Sequence, residues 1–465
     1  MPPKRFTVGR SVVVATFLAT LLLAAASVGA GPVGRPAEPA AAPARVPAAG
    51  PGDPQPGSPA PPAAAGAHLE PVLQEHGLLR QARRSRPGAP AVASATVGPP
   101  TAESPPPEPS GIPPRAAAPS PAPAPLSPAP APPAPGREDP APSLPRDRLL
   151  VLGYYTEDWD GDTRSLESLR RAGTRVDLVA SFQFRVTAGG ELAGRAYPRL
   201  TDRARRSRTP VLALFHNYAG SGFDRGIARS ILATAEARER SARAVAWTVR
   251  EGGFAGVNID LENIPPSLRG AFTDYVRRIA AHLRPDGYLV TISAPAKLGD
   301  ERQNGWTGAF DYRALAPLVD LFVVMAYDQH LPGGPAGPIA APDWVEAVIR
   351  YARSQIPAEK ILLGVPQYAY DWIEGTTQGR GLSVPGAHGL AEKSGAPVLW
   401  DEGAGSGLFR YTDPEGRRRV VYVEDRRGLE QKLVLARKYG LRGVAIWRLG
   451  LEDPGIWPLI DGYRR

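Results

Sequence analysis

The chain has 465 residues, a formal net charge of +9 and no cysteine, so neither disulfides nor thiolate chemistry contributes to its fold or its reaction. About two thirds of its 54 prolines fall in the first 146 residues, which excludes a packed core there; the remainder has globular composition and the length of one large domain. The positive charge is spread along the chain without a dense basic run interleaved with aromatics. That argues against nucleic acid as a partner and leaves a mild attraction to anionic envelope polymers.

At the N-terminus, Lys4, Arg5 and Arg10 precede an apolar run from Val12 to Ala30 that ends in the small residues Val28-Gly29-Ala30. Residues 1–30 therefore read as a signal peptide or an N-terminal membrane anchor, with a tether through residues 11–30 in the second case. The positive flank stays inside and sends the rest outward, so the protein is expected to be exported, outside the cell or in its envelope. Residues 31–146 read as a disordered Pro/Ala-rich linker whose repeated Pro-Ala pairs favour extended polyproline II. Leu73, Leu78 and Leu79 lie between His68 and Arg86 in a helix-like patch, but Pro71 and Gly77 weaken it.

From residue 147 to 465 apolar runs alternate with amphipathic stretches. The runs are 149–155, 176–184, 210–215, 256–262, 288–294, 321–327, 361–366 and 443–447; helical patterns cover 238–251, 268–283, 344–354 and 429–439. Eight strands alternating with helices predict an α/β fold, a (β/α)8 TIM barrel. The interval 367–428 is too long for one helix and holds the short runs 398–400, 408–411 and 420–423. It predicts a small β-rich insertion before the last strand. No glycine-rich phosphate loop follows the first strand, which argues against a nucleotide site.

The fourth run, Gly256-Val257-Asn258-Ile259-Asp260-Leu261-Glu262, carries the chemistry. Side chains alternate along a strand, so Asn258, Asp260 and Glu262 share one face while Val257, Ile259 and Leu261 take the other. The bulky apolar face fits a parallel sheet covered by helices rather than a solvated edge. A buried carboxylate without partners is strongly disfavoured, and the usual reason to keep two is a site needing one protonated and one charged. Barrel chemistry sits at the C-terminal strand ends. There the sequence puts Tyr154 and Tyr155 on strand one, Met325, Ala326, Tyr327 and Asp328 on strand six, and Trp447 and Arg448 on strand eight. Carboxylates ringed by aromatics suit a sugar, whose pyranose faces stack on rings while acids handle the glycosidic oxygen. Gln183, His216 and Asn217 also lie at strand ends, where contact with substrate and purely structural hydrogen bonding are equally open.

These motifs resemble glycoside hydrolase family 18. Residues 256–262 are similar to its strand-four signature DGxDxDxE, Met325-Ala326-Tyr327-Asp328 to its MxYD, and Gly443-Val444-Ala445-Ile446-Trp447-Arg448-Leu449-Gly450 to its last strand. Asn258, Asn263 and the ending Trp447-Arg448-Leu449-Gly450-Leu451 resemble the branch of bacterial spore-cortex and cell-wall N-acetylglucosaminidases. The resemblance covers about residues 148–463 and implies a monomeric hydrolase of a polysaccharide, peptidoglycan or another N-acetylglucosamine polymer, requiring no metal or organic cofactor. It implies catalytic roles for Glu262 as general acid, Asp260 as the group orienting the substrate acetamido, and Tyr327 as a donor to the acetamido oxygen. It implies substrate binding by Asn258, Asp328, Trp447, Tyr154 and Met325. The family signature's first aspartate, which the resemblance implies helps set the ionisation of the middle one, is replaced by Ala255; altered tuning of Asp260 is therefore expected, with activity retained. A chitinase-like hydrolase and a non-catalytic lectin-like barrel are the alternatives, and retained Glu262 favours an enzyme.

Overall fold

The computed structural model describes residues 144–464, apart from Ala196 and Ser221. The signal or anchor segment and nearly all of the proline-rich arm lie outside the described residues. Leu144 already packs against the barrel interior, and Arg442 donates to the Pro145 carbonyl. The fold thus takes in residues 144–146, which sequence reading gave to the arm.

Eight parallel strands close into a barrel: Leu150–Tyr155, Leu178–Val186, Val211–His216, Gly256–Asp260, Leu289–Pro295, Leu321–Met325, Ile361–Pro366 and Gly443–Trp447. Each pairs with its neighbours in chain order, and the first pairs with both the second and the eighth. All eight coincide with the predicted runs to within a few residues. The second is displaced by two residues at both ends, and the fourth ends at Asp260, which leaves Glu262 beyond the strand.

Alternation sorts the side chains into two apolar layers. Leu150, Leu152, Leu178, Leu212, Leu214, Leu321, Val323 and Leu362 fill the interior. Val151, Val179, Ala213, Phe215, Val257, Ile259, Leu261 and Leu363 face outward against the helices. The helices that cover this outer face start where their caps dictate. Thr234 accepts from the Ala237 amide at the head of Ala235–Glu251, Pro342 opens Pro342–Gln355, and Asp425 accepts from Arg427 at the head of Arg426–Lys438. The side-chain caps of Thr234 and Asp425 are each worth about 1 kcal/mol. Among the described residues no helix is long and apolar enough to cross a membrane.

The segment between the seventh and eighth strands is the expected β-rich insertion. Strands Ala369–Ile373, Gly379–Leu382, Leu399–Asp401, Ser406–Thr412 and Arg418–Val423 form an antiparallel sheet, and the helix Val384–Lys393 covers it. Ala369, Leu382, Val384, Ala387, Phe409, Val421 and Val423 give it a core of its own. A buried ion pair fastens it to the barrel: Lys432 Nζ, on the helix leading to the eighth strand, lies 2.8 Å from Glu424 Oε2 at the end of the insertion's last strand. Gly428 leaves the room, since a Cβ there would sit 2.5 Å from that same oxygen.

Removing one partner of such a pair strands a buried charge. Lys432→Met is expected to lower stability by about 3–5 kcal/mol, a fall of roughly 5–10 °C in Tm for a domain of this size. The double variant Lys432→Met/Glu424→Leu should recover most of it, as read by thermal melts followed by circular dichroism.

Candidate active site

The inward positions at the top of the fourth and fifth strands are polar, and they are wired together. Asn258 donates from Nδ2 to Thr291 Oγ1 (2.9 Å) and accepts at Oδ1 from Ser293 (2.9 Å). Ser293 Oγ shares a 2.7 Å bond with the Tyr154 hydroxyl, and Thr291 donates to the Val257 carbonyl. Asn258, Tyr154, Thr291 and Ser293 are all buried. The network occupies both ends of the Asn258 amide.

Asp260, one step nearer the mouth, is only 4 % exposed, and its Oδ1 has no hydrogen-bond partner. Burial pushes its carboxyl up to about 7. Glu262, half-buried, is held well above the ordinary carboxylate range by desolvation and then by the charges of Asp260 and Asp328. Asp328 is itself raised by burial, opposed by hydrogen bonds from Tyr368 (2.5 Å) and Tyr370 (2.9 Å), both to its Oδ1. Asp328 adopts a left-handed backbone, φ 60°, a conformation that aspartate tolerates better than most residues. Three carboxyls thus interact across the mouth, and a carboxyl held protonated near neutral pH is suited to donate a proton.

Aromatic side chains wall this acidic centre. Tyr327 is half-buried, and its hydroxyl is raised by burial and then by Tyr154, Asp260, Glu262 and Asp328. The seventh strand makes space for it with Gly364, where a Cβ would come 3.0 Å from the Tyr327 ring and nearer still to the sixth-strand backbone. Trp447 stands edge-on to Tyr154, with centroids 5.2 Å apart, and to Phe182 at 5.7 Å. Met325, at the end of the sixth strand, is buried at 9 % exposure. Tyr154, Asp260, Glu262, Tyr327, Asp328 and Trp447 thus come together at one mouth, whereas Asn258 lies a step deeper with its amide already bonded on both sides. Tyr155 is not among them: it faces the helix layer, packs on Tyr197 and donates to Glu157.

The other strand-end residues resolve as follows. Gln183 accepts from Ser181. His216 stacks on Phe182 at 4.1 Å, accepts from the Tyr218 amide at Nδ1, and is pushed down to about 3 by burial and then by Arg185. Asn217 binds the backbone of Glu262. Ala255 precedes the first residue of the fourth strand, about 16 Å below Asp260 at the usual rise per residue. It therefore does not reach Asp260, and Asn258 is the signature position that faces the same interior. Thr291, Ser293, Tyr368 and Tyr370 were missed. The period-two pair Tyr368 and Tyr370 after Pro366 was a signal for the last two; Thr291 and Ser293 look like ordinary strand residues until their neighbours are known. Among the described residues no group of three or more histidines or acids could hold a metal ion.

A closed parallel barrel with interacting acids and aromatic walls at its C-terminal mouth is the frame of a glycoside hydrolase. The chain belongs to glycosyl hydrolases family 18, whose model matches residues 177–452. It is 29 % identical over 299 residues to a cortical fragment-lytic enzyme of Bacillus subtilis, covering 63 % of this chain and 69 % of the relative. The spore cortex-lytic enzyme SleL of Bacillus megaterium superposes with a TM-score of 0.64 at 25 % identity, over 70 % of this chain and 76 % of that one. A chitinase of Chromobacterium violaceum gives 0.63 at 28 %, over 68 % and 98 %. The protein is a family 18 glycosidase related to spore cortex-lytic enzymes.

The raised carboxyls leave a mark on stability. Their folded values lie above the unfolded 3.8 and 4.5, so the folded chain holds more protons than the unfolded one in between. For Asp260 the associated stability is present below about pH 4 and is lost as pH rises through about 7; for Glu262 it is lost in the same direction, as pH rises through its raised folded value. Asp260→Asn, which does not titrate, is expected to melt roughly 3–6 °C above the parent at pH 8, and Glu262→Gln to shift in the same direction. The gap should close at pH 4, as scanning calorimetry would show.

Proposed function

We propose that the protein is an exported hydrolase that cleaves N-acetylglucosaminyl bonds of peptidoglycan, in spore cortex or cell wall, with retention of configuration. The observation that carries the reading is Asp260: a buried carboxyl whose Oδ1 has no donor, beside a glutamate whose carboxyl burial and neighbouring charges push well above its ordinary range. An acetamido group at C2 of the substrate supplies the missing N–H. Asp260 then orients that group so that its carbonyl oxygen attacks the anomeric carbon, in place of an enzyme nucleophile.

In this scheme Glu262 gives its proton to the leaving glycosidic oxygen as the bond from the anomeric carbon breaks, and the acetamido oxygen bonds to that carbon. Asp260 faces the positive charge that develops on the acetamido nitrogen. Tyr327 donates to the acetamido oxygen, Asp328 contacts the sugar, and Trp447 is the floor beneath it. Water then attacks the anomeric carbon from the vacated side and passes its proton to the Glu262 carboxylate, which reopens the ring of the intermediate and restores the acetamido. Two inversions give net retention. Donors fixed in advance around developing charge are worth several kcal/mol.

A row of rings supports a polymer rather than a monosaccharide as substrate. From Phe182 and His216 it runs to Tyr218 (6.5 Å), on to Phe223 (5.4 Å) and out to Trp306 (6.5 Å), which is 43 % exposed. Peptidoglycan is favoured over chitin by the relatedness to cortex-lytic enzymes, and export by the apolar run at Val12–Ala30. Likeness to a chitinase keeps chitin as the second reading.

The test is to incubate the protein, and its Glu262→Gln variant, with peptidoglycan and with chitin oligomers, and to identify new reducing ends by mass spectrometry. New N-acetylglucosamine ends from peptidoglycan, reduced about 100- to 10,000-fold in rate by the variant, are expected. Cleavage of chitin alone moves the assignment to a chitinase, and glycan retained without cleavage by either protein makes the barrel a binder. Trp306→Ala is expected to raise KM several-fold for long glycans while leaving kcat on a short oligomer within about twofold, as steady-state kinetics would read.

A further inference from the structure

The hydrogen-bond ladder between the third and fourth strands stops at the pair His216 and Asp260. Glu262 lies two residues past that point, on a turn, where no strand neighbour remains to pair its backbone. A turn residue without such pairing rotates freely enough to misplace its carboxyl by an ångström or more, and a misplacement of that size costs on the order of 100-fold in rate. Something other than the sheet must hold it.

We infer that Asn217 is a positioning residue for the acid: its side-chain amide replaces the absent strand peptide and holds Glu262 at both its N–H and its C=O. Oδ1 of Asn217 accepts from the Glu262 amide at 2.9 Å, and Nδ2 donates to the Glu262 carbonyl at 2.9 Å. The same Nδ2 donates to the Asp224 carbonyl, also at 2.9 Å. Asp224 in turn donates its own N–H to the Asn217 carbonyl and caps the helix Arg225–Leu232 through Ile227. Asn217 is fully buried, so none of these bonds competes with water. A primary amide is the one side chain of this length with two donors on one atom and an acceptor on the other. Aspartate keeps only the bond from the Glu262 amide and brings a fourth carboxylate to the mouth. Serine and alanine leave the Glu262 backbone unpaired.

A second hold acts from the far side. Asn263, φ 54°, turns the chain away directly after Glu262. Its Oδ1 accepts from Arg225 at 3.1 and 2.8 Å, and its Nδ2 donates to the Phe223 carbonyl at 2.9 Å. Arg225 also donates to the Gly305 carbonyl at 2.9 Å, so loops following the third, fourth and fifth strands are joined at Glu262. The inference rests on Glu262 being the acid proposed above, and it assigns Asn217 no contact with substrate.

The experiment uses the full chain with Asn217→Ala, Asn217→Asp and Asn263→Gly, the last keeping the positive φ while deleting the side chain. Steady-state kinetics on a soluble oligosaccharide cleaved by the parent, thermal melts, and a carbon-13 titration of the side-chain carboxyl of Glu262, identified by its loss in Glu262→Gln, are read together. Asn217→Ala is expected to lower kcat about 10- to 100-fold with KM within twofold and to move the Glu262 midpoint by more than half a pH unit. Asn217→Asp should do the same and raise that midpoint through its added charge, which covers the case in which the alanine variant does not fold. Asn263→Gly should lower kcat less. A lowered Tm with kcat and the midpoint unmoved would overturn the inference and leave Asn217 a structural contact only; a change confined to KM would make it a substrate ligand. If the parent cleaves no glycan, the assignment of Glu262 as acid fails, and the titration still decides the clamp: an unmoved midpoint refutes it.

Discussion

The site depends on the two-residue period of a strand inside a closed barrel. With both faces of the sheet enclosed, by helices outside and by packed side chains within, whatever the fourth strand places on alternate positions after Val257 must enter the interior. Asn258 and Asp260 go there together, and low polarisability turns their burial into chemistry. The paired amide of Asn258 is neutral and fully bonded, whereas the next inward group, Asp260, keeps an unpartnered oxygen. The carboxyl's raised affinity for protons and its need for a donor come from the same fact.

The insertion belongs to this arrangement rather than standing beside it. Its first strand brings Tyr370 to Asp328, and Tyr368, just before that strand, binds the same oxygen. Those two hydroxyls partly offset the desolvation of a carboxyl that follows the sixth strand in a left-handed turn. The Glu424–Lys432 pair then ties the insertion's last strand to the helix feeding the eighth strand, which carries Trp447. Acid centre, Trp447 and insertion are thereby coupled through a few buried polar contacts, each costly to break, and those at Asp328 join residues 40 and 42 positions apart.

Remoteness also explains what was legible beforehand. The eight strands were readable because apolar runs report local burial, and the acidic strand because alternation is a local rule. Tyr154, Asp260, Glu262, Tyr327, Asp328 and Trp447 followed from their places at strand ends. Asn217 looked like any polar strand-end residue, since its meaning lies in the backbone of Glu262, 45 positions away. The need for Gly364 is set by the ring of Tyr327, and Ser293 matters only because Tyr154 and Asn258 meet there. Tyr155 was grouped with Tyr154 by adjacency, although the same alternation that identified the acidic face sends neighbours to opposite sides.

The departure at Ala255 shows how a motif can mislead when it is read as a list of letters. Ala255 and Asp260 are close in the signature, yet they lie at opposite ends of a strand, about 16 Å apart along its axis. Asn258, two residues from Asp260, shares its interior. An amide there cannot ionise and cannot pass a proton to Asp260, and its hydrogen-bonding groups are already held by Thr291 and Ser293. Asp260 is therefore tuned by burial, not by an acidic neighbour below it. The substitution with consequences for the chemistry is the asparagine inside the barrel, and the alanine at its base belongs to the packing of the strand's start.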